Sequence, residues 1–170
     1  MALEFDPIDE AAANWRRKEW PAVDAMSAAT SITRAHQILV GRIDAALAPL
    51  SLNFSRFEVL ALLDLTREGR LPLGKIGNRL QVHPASVTNT VDRLERDGFV
   101  RREPHPSDGR TTLGVITAAG RRAAASGAAA LGEIEFGTDG MSESARASVV
   151  HSIRELRVAA EDFTEASSTA

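Results

Sequence analysis

Residues 73–116 constrain the fold most strongly, because their hydrophobic spacing changes from helical to strand-like. Residues 73–80 have the spacing of a short helix, residues 81–83 form a tight break, and residues 84–97 have the spacing of a second helix. The second helix begins at Pro84, because a first helical turn accepts proline, and Gly98 is the expected stop. Its apolar residues recur at intervals of four and three and are expected to be buried: Val87, Val91 and Leu94.

Two short strands are predicted directly after the helix pair, at residues 99–103 and 112–116, with a turn-rich loop at 104–110. The order of short helix, turn, second helix and hairpin is that of a winged helix-turn-helix, with Arg110 at the tip of the hairpin. In such a lobe the second helix fills the major groove of DNA and presents small polar side chains to base edges. An exposed helix face and a plain hairpin without a DNA role remain the alternative.

The segments on both sides of this lobe are predicted to be helical, so the fold class is mainly α with a small two- or three-stranded β wing. Residues 14–48 have helical apolar spacing that Pro21 interrupts, whereas residues 1–13 carry few apolar anchors and are expected to fray. A capping box with Ser55 as the cap and Glu58 as its partner predicts the start of a helix that ends at Gly69.

Two more helices are predicted after the hairpin. The first is capped by Thr117 and ends near residue 136, and the second is capped by Ser142 and ends near residue 163. Residues 71–73 fit a connector or a three-residue edge strand, and the tail 167–170 is expected to be loose. We expect one interlocked structural unit, made of an N-terminal helical segment for dimerisation at 1–50, the winged lobe at 51–117 and C-terminal dimerisation helices at 118–170.

The composition excludes several kinds of function. The 170 residues include no cysteine, which excludes disulfides, thiolate zinc sites and thiol-based sensing. The four histidines do not form a His-x-x-x-His pair, so we expect no metal site and no cofactor. No apolar run reaches the roughly 18 residues of a membrane span, and the N-terminus lacks the apolar core of a signal peptide. A cytoplasmic protein without membrane contact is therefore expected.

Charge is unevenly distributed along the chain. The formal net charge of −3 would by itself argue mildly against a nucleic-acid partner. Residues 70–122, however, hold ten basic and five acidic residues, a net charge of +5, and the remainder carries −8. A basic middle between acidic flanks is the electrostatic footprint expected for binding a polyanion. A solvated surface with a random fluctuation in charge is the alternative.

Residues 86–102 resemble the recognition helix and first wing strand of the MarR-type transcriptional regulators, over the stretch SVTNTVDRLERDGFVRR. Residues 107–110, SDGR, are similar to the Asp-x-Arg wing tip of that family, and residues 115–120 to its wing-to-helix junction. The resemblance extends over residues 30–160. It implies a homodimer with two winged-helix lobes and a dimerisation part made from the terminal helices. It also implies binding to a near-palindromic operator of double-stranded DNA, usually as a repressor.

The resemblance implies DNA contacts for individual residues. Arg110 is expected to enter the minor groove, where Asp108 would orient its side chain by a charge-assisted hydrogen bond. The recognition helix is expected to contact DNA through four polar residues: Ser86, Thr88, Asn89 and Arg93. Contacts to phosphate are expected from four others: His105 and Ser107 in the wing, Gln81 in the turn, and Arg56 near a helix start.

The apolar stripes of the terminal helices need a partner, and the resemblance implies that they interlock with a second copy of the chain. A two-fold dimer would place two recognition helices about one DNA turn apart, on inverted half-sites. Packing of these helices within a larger monomer is the alternative.

The N-terminal motif WRRKEWP, residues 15–21, resembles the extended N-terminus of the urate-responsive subgroup of the family. It implies that Trp15 lines a pocket for a small aromatic or anionic effector; anchoring an extra helix is the alternative. Glu58 stands where the subgroup usually has an aspartate, and Thr90 where it often has a basic residue, and both departures separate this chain from the urate pattern. Arg34 and His36 on the first long helix are further effector candidates, with surface pairing as their alternative.

Three functions follow from the sequence, and none of them is enzymatic. The favoured function is a repressor whose binding to DNA is released by a small ligand. The others are a DNA-binding dimer without an effector and a module that binds other proteins. The sequence has no Ser-His-Asp arrangement, phosphate loop or paired-carboxylate helix motif at recognisable spacing, so an enzyme is not expected.

Overall fold

The computed structural model describes residues 3–164, so the tail that we predicted to be loose lies outside the described residues. The described part contains seven α-helices, two short 3-10 turns and one three-stranded antiparallel sheet. The helices are α1 (Pro7–Arg17), α2 (Val23–Leu47), α3 (Phe54–Asp64), α4 (Leu73–Leu80), α5 (Pro84–Arg96), α6 (Ala118–Glu133) and α7 (Glu143–Ala159), and the strands are β1 (Arg70–Pro72), β2 (Val100–His105) and β3 (Asp108–Ile116).

The predicted winged helix-turn-helix is confirmed, and it forms from α3 to β3. In α5, the three residues expected to be buried are at most 2% exposed, because their spacing of four and three places them on one face: Val87, Val91 and Leu94. They pack with Leu60 and Leu63 of α3 and Ile76 of α4 in one apolar core. Gly98 follows the end of α5 with a φ of +74°, a left-handed conformation that glycine adopts without strain.

The sheet has the order β1-β3-β2, so β1 lies at its edge. This is the three-residue edge strand that we had allowed for residues 71–73, one residue earlier in the chain because Leu73 begins α4. Both wing strands are longer than predicted. His105 pairs with Asp108, and therefore residues 106 and 107 alone make the turn that we had placed over 104–110. The Asp108 carboxylate accepts hydrogen bonds from the backbone N–H of Arg110 at 3.0 Å and from the Thr111 hydroxyl at 2.6 Å. The register shifts between Pro104 and His105, so residues 109–111 have no partner across the ladder. The two bonds to Asp108 hold this bulge, and Arg110 lies in it, in β3 just after the two-residue turn.

The capping box proposed for α3 was wrong. Asn53 is the cap, because its side-chain oxygen accepts from the Arg56 N–H at 3.0 Å, while Ser55 is the second residue of the helix. The helix also ends at Asp64 and not at Gly69. The Thr66 hydroxyl donates to the Leu63 carbonyl at 2.7 Å and satisfies one of the terminal acceptors there.

The N-terminal segment is helical earlier than expected. We predicted fraying over residues 1–13, yet α1 begins at Pro7, because the Asp6 carboxylate accepts from the Ile8 N–H at 2.8 Å and proline is favourable in a first turn. Ala12 is buried where α1 packs along α2. The interruption predicted at Pro21 is confirmed, since α1 ends at Arg17 and α2 begins at Val23.

The two C-terminal helices have the predicted caps but end earlier. Thr117 and Ser142 cap α6 and α7 through their side-chain oxygens. Helix α6 packs against α3, where Gly127 allows close contact with the Phe57 ring. Helix α7 has no buried residue within the described part of the chain. Its apolar stripe is therefore uncovered here.

Among residues 3–164, no single helix has both the length and the apolar composition needed to cross a membrane. One pair, 23–50 with 54–64, meets that test only when its two parts are taken together, and it is bent by 74°.

Candidate nucleic-acid interface

The exposed face of α5 carries the residues that we expected to read DNA. Ser86, Asn89 and Arg93 are spaced by three and four residues, so they form one solvent-exposed stripe opposite the buried face. Thr88 is also exposed, and its hydroxyl donates to the Pro84 carbonyl at 3.1 Å. The short side chains lie in the first half of the helix and the long cation in its last turn. This order suits base edges first and phosphate second.

The start of α5 is organised by the turn before it. Gln81 ends α4 in a left-handed conformation with a φ of +52°, and the His83 ring caps α5 by accepting from the Ala85 N–H at 3.2 Å. The Gln81 side-chain amide donates a hydrogen bond to Asp162, in the segment that follows α7. The Asp162 carboxylate also accepts from Arg157 at 2.6 Å. The side chain predicted to contact phosphate is therefore engaged within the chain.

The wing presents a polar, exposed end. The His105 ring accepts from the Ser107 N–H at 3.3 Å across the turn. Hydrogen bonds from the Thr111 hydroxyl and the Arg110 N–H hold the pKa of Asp108 below its usual range. We predicted a hydrogen bond from the Arg110 guanidinium to the Asp108 carboxylate. The carboxylate instead accepts from the Arg110 backbone N–H. It organises the strand that carries Arg110, whose side chain is exposed.

Three arginines meet at the end of α5, around an open cavity of about 350 Å³. They are Arg93 and Arg96 of α5 and Arg56 of α3, and Asp97 completes the lining. Arg56 is held by an ion pair of 3.0 Å with Asp97. Three guanidinium groups against one carboxylate leave an excess of positive charge. Such groups are well suited to phosphate oxygens.

Sequence reasoning missed Arg96 in this cavity. Its position three residues after Arg93, on the same helix face as Asn89, was the available signal. The pairing of Arg56 with Asp97 joins residues far apart in sequence and has no local signature. A second arginine that was missed, Arg102, bridges the wing and α5.

The four effector candidates do not come together in one site. The indole N–H of Trp15 donates to the Pro21 carbonyl at 2.9 Å, and its ring stands edge-on to Trp20 with centroids 4.7 Å apart. These contacts favour the anchoring alternative for Trp15. His36 is exposed on α2, and Glu58 is half-buried on α3, where burial raises the pKa of its carboxyl.

Arg34 alone of the four lines a groove, which lies between α1 and α2 and has a volume of about 360 Å³. Helix α1 lines the groove with the apolar residues Ile8 and Ala11, and α2 lines it with Thr33, Arg34 and Gln37 beside Ala29. An apolar wall beside a few polar groups is typical of small-ligand sites.

Comparison with known proteins identifies the family to which this architecture belongs. The model of the MarR family matches residues 54–112. The crystal structure of Sco5413, a MarR family transcriptional regulator from Streptomyces coelicolor, has a TM-score of 0.79 to this chain and is 46% identical in sequence, over 85% of this chain and all of that one. This chain belongs to the MarR family.

Two further transcriptional regulators are similar to this chain. An HTH-type transcriptional regulator of Mycobacterium leprae is 38% identical over 73 residues, which are 43% of this chain and 48% of that protein. The match thus spans about half the length of that curated relative. The structure of the Mycobacterium tuberculosis regulator MosR, in complex with DNA, has a TM-score of 0.68 and 25% identity, over 79% of this chain and 96% of that one.

Proposed function

We propose that this MarR-family member binds an inverted-repeat operator in double-stranded DNA as a homodimer and represses adjacent genes. The observation that carries the proposal is the continuous polar face of α5, which runs from Ser86 and Asn89 to the three-arginine cavity. This face belongs to residues 70–122, the segment with a net charge of +5. Such a patch would bring the lobe to DNA and hold it there by release of counterions.

We propose a different task for each end of the lobe. Ser86, Thr88 and Asn89 would read base edges in the major groove, since their short side chains lie at the start of α5. Arg56, Arg93 and Arg96 would bind the phosphate backbone beside the groove. In the wing, Arg110 would enter the neighbouring minor groove, while His105 and Ser107 would approach phosphate. Gln81 would join the phosphate contacts after leaving Asp162.

A homodimer is supported by two apolar surfaces that the described chain leaves uncovered. On α7, Val149, Val150 and Leu156 are 49%, 69% and 54% exposed, and on α2 Ile32 and Ile38 are 41% and 50% exposed. Exposed apolar groups on two helices favour burial against a second copy. A two-fold axis would place the two α5 helices about 34–36 Å apart, one DNA turn.

Release by a small aromatic or anionic ligand completes the proposal. A ligand that binds one spacing of the two lobes better than the other would shift the population away from the DNA-competent state. The groove at Arg34 supports such a site, with His36, Trp15 and Glu58 as the remaining candidates from the sequence. Screening small aromatic acids for a rise in Tm and for operator release tests it. A consistently negative screen would favour a dimer without an effector.

Footprinting on the intergenic DNA beside its own gene tests the main proposal. We expect a protected inverted repeat, and fluorescence anisotropy should show tight binding to it and weak binding to random DNA. Arg110→Ala should weaken operator binding about tenfold or more, because each good groove contact contributes about 1–3 kcal/mol. Arg16→Ala, which removes the same charge from α1, is the control. Failure to distinguish operator from random DNA would overturn the proposal, and failure to bind any DNA would favour a protein-binding module.

A further inference from the structure

Arg102, the third residue of β2, links the wing to the recognition helix through one side chain. Its guanidinium forms ion pairs of 2.6 Å with both Asp92 and Glu95. The same guanidinium donates to the Thr88 carbonyl at 3.3 Å, and the Arg102 backbone N–H donates to Glu95 at 3.0 Å. All three partner residues belong to α5. One residue of the wing thus contacts three successive turns of the helix.

The neighbouring arginine shows how specific this arrangement is. Arg101 pairs at 2.6 Å with Glu103, a residue of its own strand, and its side chain is 59% exposed. The Arg102 side chain is only 24% exposed. Burial by itself would lower the pKa of Arg102, but hydrogen bonds and attraction from Asp92 and Glu95 outweigh it, so the pKa is raised. The two adjacent cations therefore have different tasks.

The elements that Arg102 joins are the two that the proposed function assigns to DNA. Thr88 lies on the face of α5 proposed for the major groove. Across the ladder, Arg102 is the partner of Gly114 in β3, the strand that also carries Arg110. We infer that Arg102 is a positioning residue that holds the wing at a set distance and angle from α5. Both DNA-reading elements can then engage their grooves at the same time.

The expected benefit is preorganisation, not folding stability. Ion pairs that reach solvent contribute about 0–1 kcal/mol to stability, because water screens them. Two contact elements that are already aligned, in contrast, lose less conformational entropy when they bind one ligand. Loss of Arg102 should therefore lower operator affinity much more than it lowers Tm.

The same network accounts for two carboxylates on a DNA-facing helix. Asp92 and Glu95 would repel phosphate if they were unpaired. Arg102 offsets one of their two negative charges, and both carboxylates serve as its anchors. The inference and simple electrostatics therefore predict opposite effects on operator affinity when one of these carboxylates is removed. Asp92→Asn and Glu95→Gln remove negative charge from α5, yet they should weaken specific operator binding while non-specific binding rises.

The test compares Arg102→Gln with Arg101→Gln, two adjacent variants that lose the same charge. The inference rests on the proposed function, so operator affinity of the wild-type dimer is measured first, by fluorescence anisotropy. We expect about a 10- to 100-fold loss for Arg102→Gln and about threefold or less for Arg101→Gln. Arg102→Lys should recover only part of the loss, because lysine lacks the planar fork. Circular dichroism should show nearly equal Tm values.

A double-mutant cycle measures the coupling between Arg102 and Arg110 in operator affinity, which a merely structural role of Arg102 would not produce. Arg110→Ala should cost less affinity in the Arg102→Gln background than in the wild type, because a wing that is no longer held makes its contact poorly. Additive losses, or equal effects of Arg101→Gln and Arg102→Gln, would overturn the inference while the proposed function stands. A wild type that binds no DNA would overturn both.

A measurement on the free protein makes the inference independent of any operator. The chain has no cysteine, so Asn89→Cys and Ser107→Cys can carry one spin label each on α5 and the wing. The distribution of distances between the two labels should broaden on Arg102→Gln and stay narrow on Arg101→Gln. An unchanged distribution on Arg102→Gln would contradict a positioning role.

Discussion

The winged lobe and helix α7 differ in how far their apolar side chains are buried. In the lobe, α3, α4 and α5 cover one another, and Leu60, Leu63 and Leu94 are completely buried. In α7, Val149, Val150 and Leu156 are about half exposed or more, and no residue of this helix is buried in the described chain. Both regions have the amphipathic spacing of stable helices. The difference lies in whether the same chain supplies the opposing surface.

This contrast separates two requirements of the proposed function. The lobe has its own core and can present a shaped polar face. Helix α7 and the exposed stretch of α2 lack a covering surface. We expect them to take it from a second copy, which would also set the spacing of the two lobes. Stability of the lobe and assembly of the dimer should therefore respond to different substitutions.

The largest effect is expected from charges on the uncovered stripe. The double variant Val150→Asp and Leu156→Asp should dissociate the dimer and lower operator affinity by about 100-fold or more, because the second half-site is no longer bound in the same event. Ser148→Asp, on another face of α7, is the control. Sedimentation analysis and anisotropy measure both properties. A variant that stays dimeric would contradict the role we give to this stripe.

Within the lobe, one type of substitution can be compared at two degrees of burial. Leu94→Ala should destabilise the fold by about 2–5 kcal/mol, because it leaves a cavity in a closed core. Leu65→Ala should have almost no effect, since Leu65 is 87% exposed. Chemical denaturation of both variants measures the difference. Equal free energies of unfolding would mean that the lobe does not have the core described above.

A smaller effect is expected from the three-arginine cavity. Arg96→Ala should weaken binding about equally on all DNA sequences and reduce the slope of log affinity against log salt by about 1, because one phosphate contact is lost. Arg16→Ala on α1 should leave the slope unchanged. Anisotropy titrations at several salt concentrations provide the slopes. A loss confined to operator DNA would instead place Arg96 against a base.

The smallest effect is expected at Glu58, where burial raises the pKa of the carboxyl. A raised pKa means that the folded state prefers the protonated form, so stability is lost as pH rises through that pKa. Glu58→Gln should therefore raise the free energy of unfolding slightly at pH 7, by well below about 1 kcal/mol, because the carboxylate still reaches solvent. The gain should vanish as pH falls below about 4, the ordinary range of glutamate. The exposed Glu133→Gln is the control.

Much of the lobe was predictable because its signals are local. The apolar spacing in α4 and α5, the stop at Gly98 and the caps Thr117 and Ser142 each involve residues within a few positions of one another. Errors arose where two local signals competed. Asn53 and Ser55 both suit a helix cap, and the early start of α1 depends on a single cap at Asp6.

The candidate site likewise has residues that local spacing predicted and contacts that it did not predict. Ser86, Asn89 and Arg93 were found from their positions on one exposed helix face. The turn over 104–110 was too long in the prediction, because pairing of His105 with Asp108 depends on the register of the whole hairpin. The partners of Arg56 and Gln81 lie far along the chain, so no spacing rule indicated them.

By itself, the sequence determined the order of elements, the buried faces of the lobe, the absence of thiol chemistry and the positive charge of residues 70–122. Periodicity and capping depend on neighbouring residues, and composition depends on residue counts, so all three can be read without knowledge of the fold. Only the tertiary structure decided that Arg56, Arg93 and Arg96 share one cavity, that Arg102 joins the wing to α5, and that Trp15 anchors the turn before α2. These contacts depend on how the helices and strands are oriented relative to one another. Packing of the core sets that orientation, and the order of residues alone does not reveal it.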